Sequence, residues 1–211
     1  MLKNEVTDFL GVIDKHITKH LPAPASENKF ELRIIGKCAL LLAGLFDSVG
    51  TIDIDALRAE GETPSVAHQS IIENLGKDFG KSKLMVNGYY LEFVNSNIVF
   101  LPRRPRWIPV DETYSNLTVR YLEPHDNIAS KLFSAFTHPQ RKKDKNDIVE
   151  ALDKKIVDFQ SVLKVADDIF DLHSMDARSD RFSEVYNYIT GELMAKYGKA
   201  NLKYIPDDDL R

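Results

Sequence analysis

Two aspartates one residue apart, Asp53 and Asp55, stand in the run Thr51-Ile52-Asp53-Ile54-Asp55 and alternate with apolar residues. Successive side chains of a strand point to opposite faces, so this spacing puts both carboxylates on one face and the isoleucines on the other. Unit charges ~4 Å apart repel by roughly 4 kcal/mol at an effective dielectric of about 20. A divalent cation, Mg2+ or Mn2+, removes that repulsion, and carboxylates sharing such an ion with substrate phosphates are its usual protein setting. The chemistry expected is metal-assisted transfer at phosphorus, the metal steadying the attacking and leaving oxygens. Taken alone, Asp-x-Asp is also what two solvated residues at a strand end look like, so the neighbouring sequence decides.

Upstream, Phe30, Leu32 and Ile34 alternate with polar residues and run into Gly36, after which the chain is rich in Ala and Leu. A glycine between a strand and a helix lets backbone N–H groups approach a phosphate. Together with Asp53 and Asp55, it turns a bare acidic pair into a candidate nucleotide site.

These groups need elements to hold them. From Glu5 to Leu21, helical spacing puts Val6, Phe9, Leu10, Ile13 and Ile17 on one side, and Pro22 and Pro24 end that helix. A strand at Phe30–Ile34 follows, then a buried helix from Cys38 to Phe46 that Gly50 closes, then the Thr51–Asp55 strand. Thr63-Pro64 starts a helix that Val66, Ile71, Ile72, Leu75 and Phe79 continue. Tyr89 to Val94 and Asn97 to Leu101, separated by Asn95-Ser96, predict a hairpin. Pro102 to Pro109 reads as a loop and Leu117 to Leu122 as a strand. Beyond Pro124 the pattern is helical: Ile128 to Phe136, one or two helices from Ile148 to Leu163, and Arg181 to Tyr197. The organisation expected is an α/β core over residues 1–123 with its N-terminal helix, and a helical extension over 124–211 packed on that core.

Other groups carry weaker signals. Pro102-Arg103-Arg104-Pro105-Arg106-Trp107 mixes basic and aromatic residues as an RNA-contacting loop would, but reads better as a rigid surface loop paired with acidic residues. Arg141-Lys142-Lys143-Asp144-Lys145 is the charge run of a solvated helix start, and Lys142 and Lys143 could instead meet a phosphate-bearing acceptor. His16 and His20 are four apart, but no third zinc ligand stands near them. No nucleophile elbow, Walker loop or dinucleotide fingerprint is present.

Composition bounds the remaining classes. The 211 residues, 43% hydrophobic and 28% charged, suffice for a proper core. A net charge of −4 gives no overall basic field, which argues against indiscriminate nucleic-acid binding. The single cysteine, Cys38, sits in an apolar run, as in a protein of a reducing compartment. No stretch reaches the roughly 20 apolar residues that cross a bilayer, so the expectation is a cytoplasmic protein without a membrane partner.

Gly36-Lys37-Cys38-Ala39-Leu40 through Gly44, followed by Thr51 to Asp55, resembles the glycine and Asp-x-Asp motifs of the DNA polymerase β-like nucleotidyltransferases. Leu122-Glu123-Pro124-His125-Asp126-Asn127-Ile128-Ala129-Ser130-Lys131-Leu132, then Arg141 and Asp144-Lys145-Asn146-Asp147-Ile148, resembles the lysine helix and acidic helix of the AbiEii-type abortive-infection toxins and their bacterial relatives. The two blocks cover residues 30 to 155. The resemblance implies a nucleotidyltransferase-like mixed sheet flanked by helices, with a C-terminal helical extension. It implies Asp53 and Asp55 as metal ligands, Glu92 in Leu91-Glu92-Phe93-Val94 as the third carboxylate, and Lys131 as a lysine facing phosphates. Gly36, Lys37, Thr51, Lys131, Asp144 and Asp147 then form the nucleotide-binding set, and Asp53, Asp55, Glu92 and Lys131 the catalytic one. Two positions depart from the pattern: Lys37 stands where a Ser or Gly is usual, and Glu92 where an Asp is usual.

Two functions follow as expectations. One is an enzyme that moves a nucleotidyl group from a Mg2+-bound NTP to a hydroxyl on RNA, protein or a small molecule, in a bacterial setting related to toxin–antitoxin pairs, with an antitoxin as a further partner. The other is a catalytically degenerate protein that keeps the fold and acts as a binding or regulatory module.

Overall fold

The computed structural model describes residues 2–20, 30–47, 53–58, 84–86, 89–93, 99–111, 113–138 and 140–173, and positions 185, 187–189, 191, 192 and 195; the side chains of 16–20, 30, 53, 58, 84–86 and 89–93 are outside the description. The chain divides into two compact units, Met1–Ile98 with Arg106–Glu123, and Val99–Pro105 with Pro124–Arg211.

The first unit is built on a six-stranded mixed sheet. Its strands are β1 (Phe30–Ile34), β2 (Asp53–Arg58), β3 (Leu84–Val86), β4 (Tyr89–Phe93), β5 (Trp107–Pro109) and β6 (Leu117–Leu122), in the order β3-β4-β2-β1-β6-β5. β1 runs antiparallel to β2 and parallel to β6, and β2 is parallel to β4. The alternation seen in the sequence is an alternation of burial. Leu32, Ile34, Ile54 and Ala56 are fully buried, while Glu31, Arg33 and Asp55, on the other face, are partly exposed.

Helix α1 (Lys3–His20) buries Val6, Phe9, Leu10 and Ile13 and packs on α2 (Gly36–Leu42), which in turn packs on β2 and β6. Asp14, a buried carboxylate on α1, accepts hydrogen bonds from the backbone N–H groups of Ser115 (3.0 Å) and Asn116 (2.7 Å) and so fixes the turn into β6.

Three sequence expectations need correction here. Helix α2 ends at Leu42, not Phe46. Gly44 takes φ +75°, its N–H bonds to the Leu41 carbonyl, and the Leu45 N–H bonds to the Leu40 carbonyl, which together terminate a helix. The hairpin is β3–β4, with Val86 paired to Tyr89, and Val99 to Leu101 are not a strand. Trp107–Pro109, read as loop, is a short edge strand antiparallel to β6. The helix expected from Thr63 to Phe79 and the turn at Asn95-Ser96 lie outside the described residues.

The second unit is helical, with α3 (Pro124–Thr137), α4 (Lys142–Asp153) and α5 (Phe159–Leu172), and helical positions from Val185 to Ala195. Helix α3 packs on both α4 and α5. The Phe100, Phe133, Phe136 and Phe170 rings form its aromatic centre, with Phe133 at 4.4 Å from Phe100 and 4.8 Å from Phe170. Helix α5 is capped by Asp158, whose side chain accepts from the Ser161 N–H at 2.8 Å.

Candidate active site

The glycine turn and the acidic strand meet in the first unit. Gly36 has φ +67°, a conformation that residues with a Cβ rarely adopt. The Ile35 N–H bonds to the Asp55 carbonyl at 3.0 Å, tying the end of β1 to β2 at this point. A Cβ on Gly36 would stand 3.2 Å from Oδ2 of Asp55. The glycine therefore answers two demands, a left-handed turn and room for the carboxylate beside it.

Asp53, at the start of β2, lies two residues before Asp55 and so at a register position on the same face. Its Cα pairs with that of Tyr90, and the Cα of Asp55 pairs with that of Glu92. Backbone pairing thus brings Asp55 and Glu92 opposite each other on adjacent strands, where paired residues share a face. The side chains of Asp53 and Glu92 and the whole of Thr51 are outside the described residues. Among the described residues no group of three His, Cys, Asp or Glu side chains is gathered to hold a metal. Register puts Asp53, Asp55 and Glu92 on one sheet face, and carboxylates offer the hard oxygens that Mg2+ takes.

Lys37 follows the turn directly. Its ammonium lies 5.3 Å from the centre of the buried Phe46 ring, a cation–π contact on the same turn-helix-turn segment.

In the second unit Lys131, Asp144 and Asp147 come together. The Lys131 ammonium, on α3, donates to Oδ2 of Asp147 at 2.8 Å and Oδ1 of Asp144 at 3.3 Å, both on α4. All three side chains are close to nine-tenths buried or more. The other Asp144 oxygen stands 3.0 Å from Nε of Arg141 without hydrogen-bonding geometry, and no described residue hydrogen-bonds to it. Burying two carboxylates is costly unless a cation sits between them, and Lys131 is that cation.

Sequence reading singles out none of the other buried polar residues of α3. Asp126, Asn127 and Ser130 are also buried on α3. Asp126 and Ser130 are four apart, as are Asn127 and Lys131, and polar residues at helical spacing inside an otherwise apolar stripe were the available signal. The basic loop is paired with acids. Arg103 meets Asp168 through its backbone N–H at 2.7 Å and its Nε at 3.5 Å, and in the first unit Arg106 meets Glu123 at 2.8 Å. No described helix is long and apolar enough to cross a membrane.

No curated protein and no solved structure matches the chain. A family model described as "Nucleotidyltransferase of unknown function (DUF6036)" matches residues 10–192, most of the chain. With a left-handed glycine set against the carboxylate of an Asp-x-Asp strand in a mixed sheet, the protein belongs to this nucleotidyltransferase family.

Proposed function

We propose that the protein transfers a nucleotidyl group from a Mg2+-bound nucleoside triphosphate to a hydroxyl acceptor. The observation that carries this reading is the left-handed Gly36 with the Asp55 carboxylate beside it, a side-chain-free turn of the kind that receives phosphates next to a metal-binding acid. In the reaction the acceptor oxygen bonds to the α-phosphorus, the bond to pyrophosphate breaks, and the hydroxyl proton is lost. Bound divalent metal would neutralise phosphate charge in that step.

Asp53 and Asp55 hold the metal, with Glu92 as third carboxylate. Gly36, Lys37 and Thr51 line the phosphates. In the second unit Lys131, Asp144 and Asp147 form a buried charge cluster of their own, which the resemblance assigns to nucleotide binding. The AbiEii-like arrangement of the two motif blocks supports a cytoplasmic, toxin–antitoxin-related setting in a bacterium, with RNA or a protein as acceptor and an antitoxin as partner. A nucleotide-binding protein without transfer activity is the second reading, favoured by Lys37 where a small residue is usual.

The test is transfer of label from the α-phosphate of each NTP to RNA, to protein or to an added alcohol, for the parent and Asp55→Ala. Label transferred by the parent and not by the variant supports the enzyme. Equal transfer by both removes Asp55 from the site.

A further inference from the structure

The sheet face that carries Asp55 also carries an unusual pairing of like charges. Arg33 on β1 and Arg120 on β6 are direct register partners. Like charges directly opposite each other on neighbouring strands destabilise a sheet unless something compensates them. Glu31 is the carboxylate both reach among the described residues, at 2.7 Å from Nε of Arg33 and only 3.8 Å from Nε of Arg120. One carboxylate thus stands between two guanidiniums, in a chain whose net charge is −4.

Trp107 completes the group. The Arg33 guanidinium sits 5.3 Å from the centre of its ring, and the buried indole Nε1–H meets no hydrogen-bond acceptor among the described residues. A buried donor left unsatisfied is costly, which makes this N–H a group in want of an acceptor. The position is near the candidate active site. Ile35 bonds to Asp55, and Arg33 is two residues before Ile35 on the same face, roughly 7 Å along the strand.

We propose that Arg33, Arg120 and Trp107 form an anion site that takes a phosphate of the acceptor and so presents its hydroxyl to the Asp55 end of the sheet. Guanidiniums suit phosphate oxygens through paired N–H donors, the indole N–H supplies a further donor, and the indole ring offers a stacking surface to a base. The acceptor class is therefore a phosphate-bearing one, either a small phosphomonoester or single-stranded RNA. This rests on the transferase reading for the word acceptor, but the anion site itself does not.

Trp107 is the single tryptophan of the chain, so its fluorescence reports on the site directly. The experiment titrates ribose 5-phosphate, short single-stranded RNA and plain ribose into an Asp53→Asn/Asp55→Asn protein without metal, which silences the donor site. The expected result is a saturable change in Trp107 emission with the phosphate-bearing probes and none with ribose. Arg120→Gln, at a side chain 41% exposed, and Arg33→Gln each weaken it about tenfold. Melting curves check that each variant folds, and the exposed Arg120 carries the test if Arg33→Gln does not.

Tighter binding of RNA than of ribose 5-phosphate assigns the acceptor to RNA, and the reverse assigns it to small phosphoesters. No emission change with either, or a change that Arg120→Gln leaves intact, overturns the inference. Metal-dependent NTP binding by the parent, measured separately, tells the two failures apart: if it persists while Trp107 stays silent, only the anion site is lost. If Trp107 responds and NTP does not bind, the transferase reading is lost and the anion site stands.

Discussion

Oδ2 of Asp55 lies 3.2 Å from the point where any residue other than glycine at position 36 would carry its Cβ. Gly44 has almost the same left-handed conformation, φ +75° against +67°, with no described residue within 4 Å of its own Cβ position. The two glycines therefore separate backbone strain from crowding. Gly36→Ala and Gly44→Ala should each lower stability by about 1–2 kcal/mol. Only Gly36→Ala should also displace the Asp55 carboxylate and abolish Mg2+-dependent NTP binding. Thermal melts and calorimetry on the pair check this, and equal NTP binding by both variants would contradict it.

Lys131 neutralises Asp144 and Asp147 in a buried setting, and removing it strands both carboxylates. Lys131→Met should cost about 3–5 kcal/mol. Combining it with Asp147→Asn should cost less than the two changes summed, because the partners share one interaction. A double-mutant cycle in urea measures the coupling, and simple additivity would refute the pairing.

Lys155 ends α4 in a conformation better suited to glycine, at φ +55°, with the Ile156 N–H bonded to the Ala151 carbonyl and its own N–H to that of Leu152. Lys155→Gly should therefore stabilise the protein by about 0.5–1 kcal/mol. A rise in the melting temperature checks this; a fall would mean that the lysine side chain contributes more than its backbone costs.

The hydrogen bonds from Ser161, side chain and backbone, hold the Asp158 carboxyl below its ordinary value, and His125, 3.5 Å away, adds to this. A depressed carboxyl stabilises the fold above its unfolded value, and that contribution fades as pH falls through the folded one. Asp158→Ala should therefore lower the melting temperature near pH 7, a loss of about 1 kcal/mol typical of a helix cap. The gap to the parent should close as pH drops below the ordinary carboxylate range, and Asp158→Asn should restore most of the cap. A gap that stays constant into acid would exclude the ionised cap.

What the sequence made legible is what periodicity encodes. Leu32 with Ile34, and Ile54 between the two aspartates, showed their strands because one face is buried, and Phe133, Phe136, Ile148 and Leu163 reflect helices packed along one stripe. Strand β5 is three residues long and includes Pro109, too short to show a period and typical of an edge. Asn95-Ser96 suggests a turn one strand too late; Asn87-Gly88, the stronger hairpin signal, stands between β3 and β4. Leu45 and Phe46 kept the α2 pattern apolar beyond Gly44, where the helix stops. The pairing of Lys131 with residues 13 and 16 positions away depends on how α3 and α4 pack, which local spacing does not carry. The same holds for Arg33, Arg120 and Trp107, which meet only through the order of β1, β6 and β5.

A metal-dependent nucleotide site at Asp53 and Asp55 would show itself in calorimetric titration of the four ribonucleoside triphosphates with Mg2+. It is run on the parent and on Asp53→Asn/Asp55→Asn, with melting curves to confirm that both are folded. The parent should give saturable heat with at least one triphosphate, dependent on Mg2+ and lost in the variant. Binding that survives in the variant, or no binding to the parent, would contradict that site.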